Sequence, residues 1–391
     1  MYICSSRLKP YTMKIAIICE VLGKANNGTS LAAYNLINYL KSRGHDVRVV
    51  CSDEDKRGLP GYYILPKNKL VSWIIQKNQL SLSKFDKSIV SQAVDGVDIV
   101  HIMVPLFLAK PASKYVKSLG LPLTAGCHAQ AQNLTSHIFL VGCDWANTLT
   151  YKWYDHNLFC RADAIHYPTK FMQDEFEAAV GRKTNGYIIS NGVNDLFKPD
   201  PCPKPEELKD KYCIVYTGRF SKEKSHITLL KAVAQSKYRD KIQLIFCGNG
   251  PYGFEIRDWA KKHLPIQPIM GFFSREEVRR ILNYSDLYCH PAQAELEGIA
   301  CLEAIACGLV PVIADSPHCA TKNFALDPHC LFKVGDSQEL ARRIDWFIEH
   351  PDEKAALRQR YIRESVLYDQ TKCMREMENM FKSVIEAHAK A

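Results

Sequence analysis

One pattern runs through almost the whole chain and limits what it can fold into. Short apolar runs alternate with longer stretches of helical period. Residues 14–19 (KIAIIC), 47–51 (VRVVC), 97–103 (VDIVHIM) and 121–124 read as strands, and 29–43 carries apolar residues at helical spacing. The alternation restarts after the Pro-rich stretch 198–205 (KPDPCPKP), with 213–217, 243–247, 268–271, 287–290 and 310–314 as strands. Strand–helix–strand order builds parallel sheets covered by helices. The chain is therefore expected to be an α/β protein of two doubly wound, Rossmann-like domains facing each other across a cleft, with ligands held at the carboxyl ends of the strands. The expected boundaries are 13–197, 198–368 and a final helical segment, 369–391, that crosses back to the first domain. Met13 precedes the first strand and reads as the functional start, so residues 1–12 are set aside.

The longest apolar stretches fall short of the roughly 18 residues that a spanning helix needs, so no transmembrane helix is expected. The 15 cysteines lack zinc-type spacing and are far too sparse for a disulfide scaffold, which suits a cytoplasmic chain with reduced core thiols. Charge is uneven. Residues 1–200 hold 23 basic against 16 acidic residues and 201–391 hold 28 against 26, so the first half carries most of the net +9. Such a surplus faces nucleic acid or an anionic membrane surface, and no zinc-finger, RRM or GXXG signature supports nucleic acid.

The densest chemistry lies in 294–308, AELEGIACLEAIACG. Gly298, where a loop turns into a helix, lets the first amides, Ile299 among them, point at an anion. Glu303, about a turn and a half further on, can look back into the cleft and accept two hydrogen bonds from vicinal hydroxyls. A solvated helix face would explain the glutamates more simply, but this helix is otherwise almost wholly apolar, and a buried lone Glu is costly. A second group, YTGRFSKEK at 216–224, follows the first strand of the second unit. Gly218 permits the tight turn, and Arg219 with Lys224 would clamp a diphosphate leaving group as its charge grows. In the first unit, Gly28 lies in a loop opening a helix, and His128 ends a strand on the cleft side; His166 and His290 are read as structural. No metal-ligand spacing is visible, so neither a metal nor a resident cofactor is expected.

Together these motifs resemble the GT-B retaining glycosyltransferases of family 4: a Glu-x7-Glu pattern from Glu295 to Glu303, preceded by Gly218-Arg219 and Glu223-Lys224. The resemblance runs from about Met13 to the C-terminus. It implies that Arg219 and Lys224 hold a donor diphosphate, that Gly28, Gly298 and Ile299 offer donor contacts, and that Glu303 holds the ribose. Glu295 and His128 become the catalytic pair beside the transferred sugar. Within the family, the stretches around His128, Ser83–Lys87, AIHYPTKF and SNGVNDLF look most like bacterial diacylglycerol glycosyltransferases. Where those usually read His-x-Gln-Pro-Glu-Asn, this chain has His128-Ala129-Gln130-Ala131-Gln132-Asn133.

The implied partners are a nucleotide-sugar donor, UDP-glucose or UDP-galactose by resemblance, a lipid acceptor and an anionic membrane surface, with no nucleic acid. The implied location is cytoplasmic, peripheral at the inner face of the cell membrane. Segment 66–87 places Trp73, Ile74 and Ile75 among Lys67, Lys69 and Lys77, which suits an interfacial segment and equally a core helix with a solvated lysine face. The alternatives are a family 4 enzyme with a soluble or glycan acceptor, such as a lipopolysaccharide core, and a nucleotide-sugar epimerase.

Overall fold

A computed structural model describes residues 12–20, 22, 28–67, 83–136 and 143–390. Two separate parallel sheets carry the fold. The first has seven strands, β1 (Lys14–Ile18), β2 (Asp46–Cys51), β3 (Tyr62–Ile64), β4 (Ile99–Ile102), β5 (Leu123–Gly126), β6 (Ala164–Tyr167) and β7 (Gly186–Ile188), in the order β3-β2-β1-β4-β5-β6-β7. The chain starts in the middle and winds outward both ways, so the order reverses between β1 and β4. The central strands β1, β4, β5 and β6 are almost entirely buried, as expected when both faces are covered.

One face of this sheet packs under the helix Gly28–Ser42 and the last helix, Gln370–Ala389, whose Met374, Met377, Met380 and Phe381 are buried there. Tyr39 donates to Glu378 at 3.2 Å across that contact. The other face packs the helices Lys87–Val94, Ala109–Ser118, Asp144–Asn157 and Lys170–Val180. The C-terminal helix therefore lies on the first sheet although its sequence follows the second.

The second sheet comprises β8 (Tyr212–Thr217), β9 (Ile242–Cys247), β10 (Ile269–Gly271), β11 (Leu287–His290), β13 (Pro311–Asp315) and β15 (Leu331–Lys333), ordered β10-β9-β8-β11-β13-β15. Two two-residue strands, β12 (Ala294–Glu295) and β14 (His318–Cys319), pair in parallel beyond its carboxyl edge, Glu295 opposite Cys319. No helix among the described residues is long and apolar enough to cross a membrane.

Candidate active site

The second domain builds its site from three turns at the carboxyl ends of β8, β9 and β11. After β8 the chain bends through Gly218 into a short 3-10 turn, Lys222–Lys224. The β9 loop presses against it so closely that a Cβ on Gly248 would lie 1.9 Å from the Gly218 carbonyl oxygen, and one on Gly250 would lie 2.4 Å from the Phe220 carbonyl oxygen. Side chains at either position would push the β8 turn out of place. Beyond β11, the chain passes through β12 into the helix Ile299–Ala306, entered by Gly298 at φ +83°. A Cβ on Gly298 would meet the Thr321 Cγ2 at 2.0 Å, so both backbone angle and space demand glycine there.

These turns bring Lys224 and Glu295 into a direct ion pair. Burial works against both charges, but the pairing outweighs it, holding the Glu295 carboxyl below its usual range and the Lys224 ammonium above its own. Both stay ionised around neutrality. Lys224, expected as an open cation for a diphosphate, is thus already engaged by Glu295. Arg219 is exposed, and among the described residues no ion pair holds it. Cys301 and Leu302 donate their amides to the Gly298 carbonyl, and among the described residues those of Ile299 and Ala300 are left as the open donors of the helix start.

Glu303 is buried within this apolar helix and accepts a hydrogen bond from the Arg275 Nη2 at 3.2 Å. Arg275 begins the helix Arg275–Tyr284 and lays its guanidinium over the Phe197 ring at 4.9 Å. Burial pushes the Glu303 carboxyl up to about 7, with Arg275 restraining the rise. Arg275 is the partner that the sequence reading left unnamed. Its helix, REEVRRILNY, looks like any amphipathic surface helix, and only the fold brings it to Glu303.

The first domain contributes a neutral histidine. His128 lies two residues beyond β5, buried, with its ring edge-on to His166 at 5.0 Å between centroids. Burial, with His166 and His101 adding to it, holds His128 well below the usual histidine range, so its imidazole is neutral. Gly126 makes room for it, since a Cβ there would lie 2.6 Å from the His128 ring. His166 is held by the Ile189 carbonyl at 2.6 Å, and His290 approaches the Tyr288 hydroxyl at 3.3 Å. Gly28 is the first residue of the helix Gly28–Ser42, whose Thr29 hydroxyl lies 3.4 Å from the His128 carbonyl oxygen.

The two domains touch at this site. Gln130 donates to the His318 carbonyl at 2.8 Å, and Gln132 reaches the His318 ring at 3.3 Å. These two glutamines belong to the stretch that departs from the diacylglycerol-enzyme pattern. The Glu175 carboxylate on the helix Lys170–Val180 raises the His318 imidazole above its usual value by hydrogen bonding. Of the proposed membrane residues, exposed Lys67 forms an isolated bridge with Ser83, while Lys69, Trp73, Ile74, Ile75 and Lys77 lie outside the described residues.

Two doubly wound domains with a cation–carboxylate cluster at the facing strand ends define a GT-B architecture, and the comparisons agree. The family described as Glycosyltransferase Family 4 matches residues 26–195, and Glycosyl transferases group 1 matches residues 202–365. The chain is a GT-B glycosyltransferase made of a family 4 domain followed by a group 1 domain. It is 21% identical over 323 residues to the alpha-monoglucosyldiacylglycerol synthase of Streptococcus pneumoniae, covering 77% of this chain and 71% of that protein. It is 24% identical over 294 residues to the sulfoquinovosyl transferase SQD2 of Arabidopsis thaliana, covering 72% of this chain and 55% of that protein. A shorter match, to the putative glycosyltransferase EpsF of Bacillus subtilis, spans 36% of that relative's length. Among solved structures, Anabaena HepE in complex with UDP superposes with a TM-score of 0.74 at 17% identity, covering 95% of this chain and 100% of that one.

Proposed function

We propose that this enzyme transfers a hexose, with retention, from a UDP-sugar, glucose or galactose, to the hydroxyl of a lipid such as diacylglycerol at a membrane surface. The observation that carries the reading is the second domain's cluster: the Lys224–Glu295 pair, the open Ile299 and Ala300 amides, and the buried Glu303 held by Arg275. In this reading Lys224, Arg219 and the amides meet the diphosphate, and Glu303 accepts the ribose hydroxyls. Glu295 holds Lys224 and flanks the sugar, and the neutral His128 hydrogen-bonds a sugar hydroxyl from the other domain.

The bond from the sugar C1 to the phosphate oxygen breaks as the acceptor oxygen forms its bond to C1 on the same face. The departing phosphate takes the acceptor's proton. Charge grows on that phosphate, where cations and amides already wait, so the reaction is expected to proceed in the presence of EDTA.

The names of relatives support the finer parts. An alpha-monoglucosyldiacylglycerol synthase points to a lipid acceptor and an alpha product, and HepE has been solved with UDP-glucose. The membrane part gains support from a surface in the first domain. On the helix Asp144–Asn157, Trp145, Leu149 and Trp153 recur every fourth residue, with Trp145 62% and Leu149 57% exposed. Phe107, 55% exposed, meets Trp153 edge-on at 5.5 Å, and Lys110, Lys114 and Lys152 supply nearby positive charge. Exposed aromatic residues beside lysines suit the interface of an anionic bilayer.

The test is to incubate the protein with radiolabelled UDP-glucose or UDP-galactose and membrane extract. Label entering the organic phase supports a lipid acceptor. Label confined to water-soluble glycan favours the glycan-acceptor enzyme, and sugar interconversion without any acceptor favours an epimerase.

A further inference from the structure

Glu297 lies between the catalytic candidate Glu295 and the donor-binding candidate Gly298, yet it points away from them toward the other domain. It is 3% exposed, and its carboxylate accepts three hydrogen bonds from just beyond β7 of the first sheet. The Ser190 hydroxyl donates at 2.5 Å, the Asn191 amide N–H at 3.0 Å and the Asn191 Nδ2 at 2.6 Å. The Thr169 hydroxyl, capping the helix Lys170–Val180, donates to the neighbouring Leu296 carbonyl at 3.1 Å. Gln130 grips β14, the strand paired with Glu295's own, at the His318 carbonyl. The turn 294–298 is thus fastened to the first domain at two points, and the strand paired with it at a third.

Ser190 and Asn191 are themselves anchored. Val193 exchanges backbone hydrogen bonds with Tyr368 and Gln370 at the entry to the last helix, and a Cβ on Gly192 would lie 2.6 Å from the Gln370 Cα. Glu297 therefore connects the turn 294–298 to the place where residues 190–193 meet the start of the C-terminal helix. By contrast, the Lys224–Glu295 and Arg275–Glu303 pairs each lie wholly within the second domain.

We propose that Glu297 is a positioning residue for sugar transfer: through Ser190 and Asn191 it sets the turn that carries Glu295 and Gly298 against the acceptor domain. This rests on the transferase reading of the cleft. Losing the tie leaves the nucleotide clamp intact and misplaces the sugar relative to His128 and the acceptor.

The experiment compares Glu297→Ala, Asn191→Ala, their combination and the milder Ser190→Ala in the full chain. Turnover should fall at least tenfold in the first two, while the affinity for UDP, measured by calorimetry, stays within about twofold of wild type. The double variant should be no slower than the slower single, because both remove one connection. Ser190→Ala, which loses a single hydroxyl, should keep the fold and lose turnover several-fold. Amide hydrogen exchange should rise over 294–298 in Glu297→Ala with no change in β8 or β9.

Losses of UDP affinity that match the losses of turnover, additive effects in the double variant, or unchanged exchange over 294–298 would each overturn the proposal. A wild-type protein that transfers no sugar would instead break the transferase reading, and the exchange measurement would still decide whether Glu297 ties the domains.

Discussion

The two domains face each other with opposite chemistry. The second meets the cleft with charge: Lys224 paired with Glu295, Arg275 paired with Glu303, and an exposed Arg219. The first meets it with a histidine that burial keeps neutral, two glutamines, small residues around Gly126 and a single carboxylate, Glu175, turned to His318. A nucleoside diphosphate is anionic at one end and rich in vicinal hydroxyls at the other, so its site calls for fixed cations and buried carboxylates. A hydroxyl acceptor carries no charge to be met. The excess positive charge of the first half must then serve something other than the donor, and a membrane surface is the role proposed for it.

Lys224→Ala should break this contrast most severely. It leaves the Glu295 carboxylate without its cation in a largely buried position and removes a charge-assisted contact of order 1.5–3 kcal/mol or more. Turnover should fall at least tenfold, with weaker UDP binding visible by calorimetry. His128→Asn should produce the opposite signature: slower turnover at saturating donor, with UDP affinity within about twofold of wild type.

A pH series sharpens the comparison. Burial raises the Glu303 carboxyl to about 7, and ribose hydroxyls prefer the ionised form. UDP affinity should therefore weaken as pH falls from 8 to 6. Glu303→Gln should bind more weakly at pH 8 and flatten the dependence across that window. The His128 imidazole, held well below its ordinary value, should add no step there.

The smallest effect concerns the membrane. Replacing Trp145 and Leu149 by Ser should weaken co-sedimentation with anionic vesicles several-fold without altering UDP affinity. Raising salt should release the wild type, since the Debye length is about 8 Å at physiological ionic strength. Vesicle binding indifferent to both would favour the glycan-acceptor enzyme.

What the sequence disclosed follows the same division. The α/β class, two sheets and the Glu295–Glu303 and Gly218–Lys224 groups were readable, because strand alternation and a helix-start motif are local patterns. The strands β12 and β14, two residues each, are too short for any period to register. Arg275 is 28 residues from Glu303, Asn191 is 106 from Glu297, and Gln130 is 188 from His318. Such pairs have no local signal. Glu297 stood in the motif between two assigned residues, yet nothing in its neighbours showed that it faces the other domain.

The central claim is that the nucleotide is held chiefly by the second domain, while transfer needs both. Calorimetric titration of UDP into the wild type, Glu303→Gln and His128→Asn, paired with turnover of the same preparations, tests it most directly. Slower turnover in both variants, with UDP affinity lost at least tenfold only in Glu303→Gln, is the predicted result. Equal loss of UDP affinity in the two, or loss confined to His128→Asn, would contradict it.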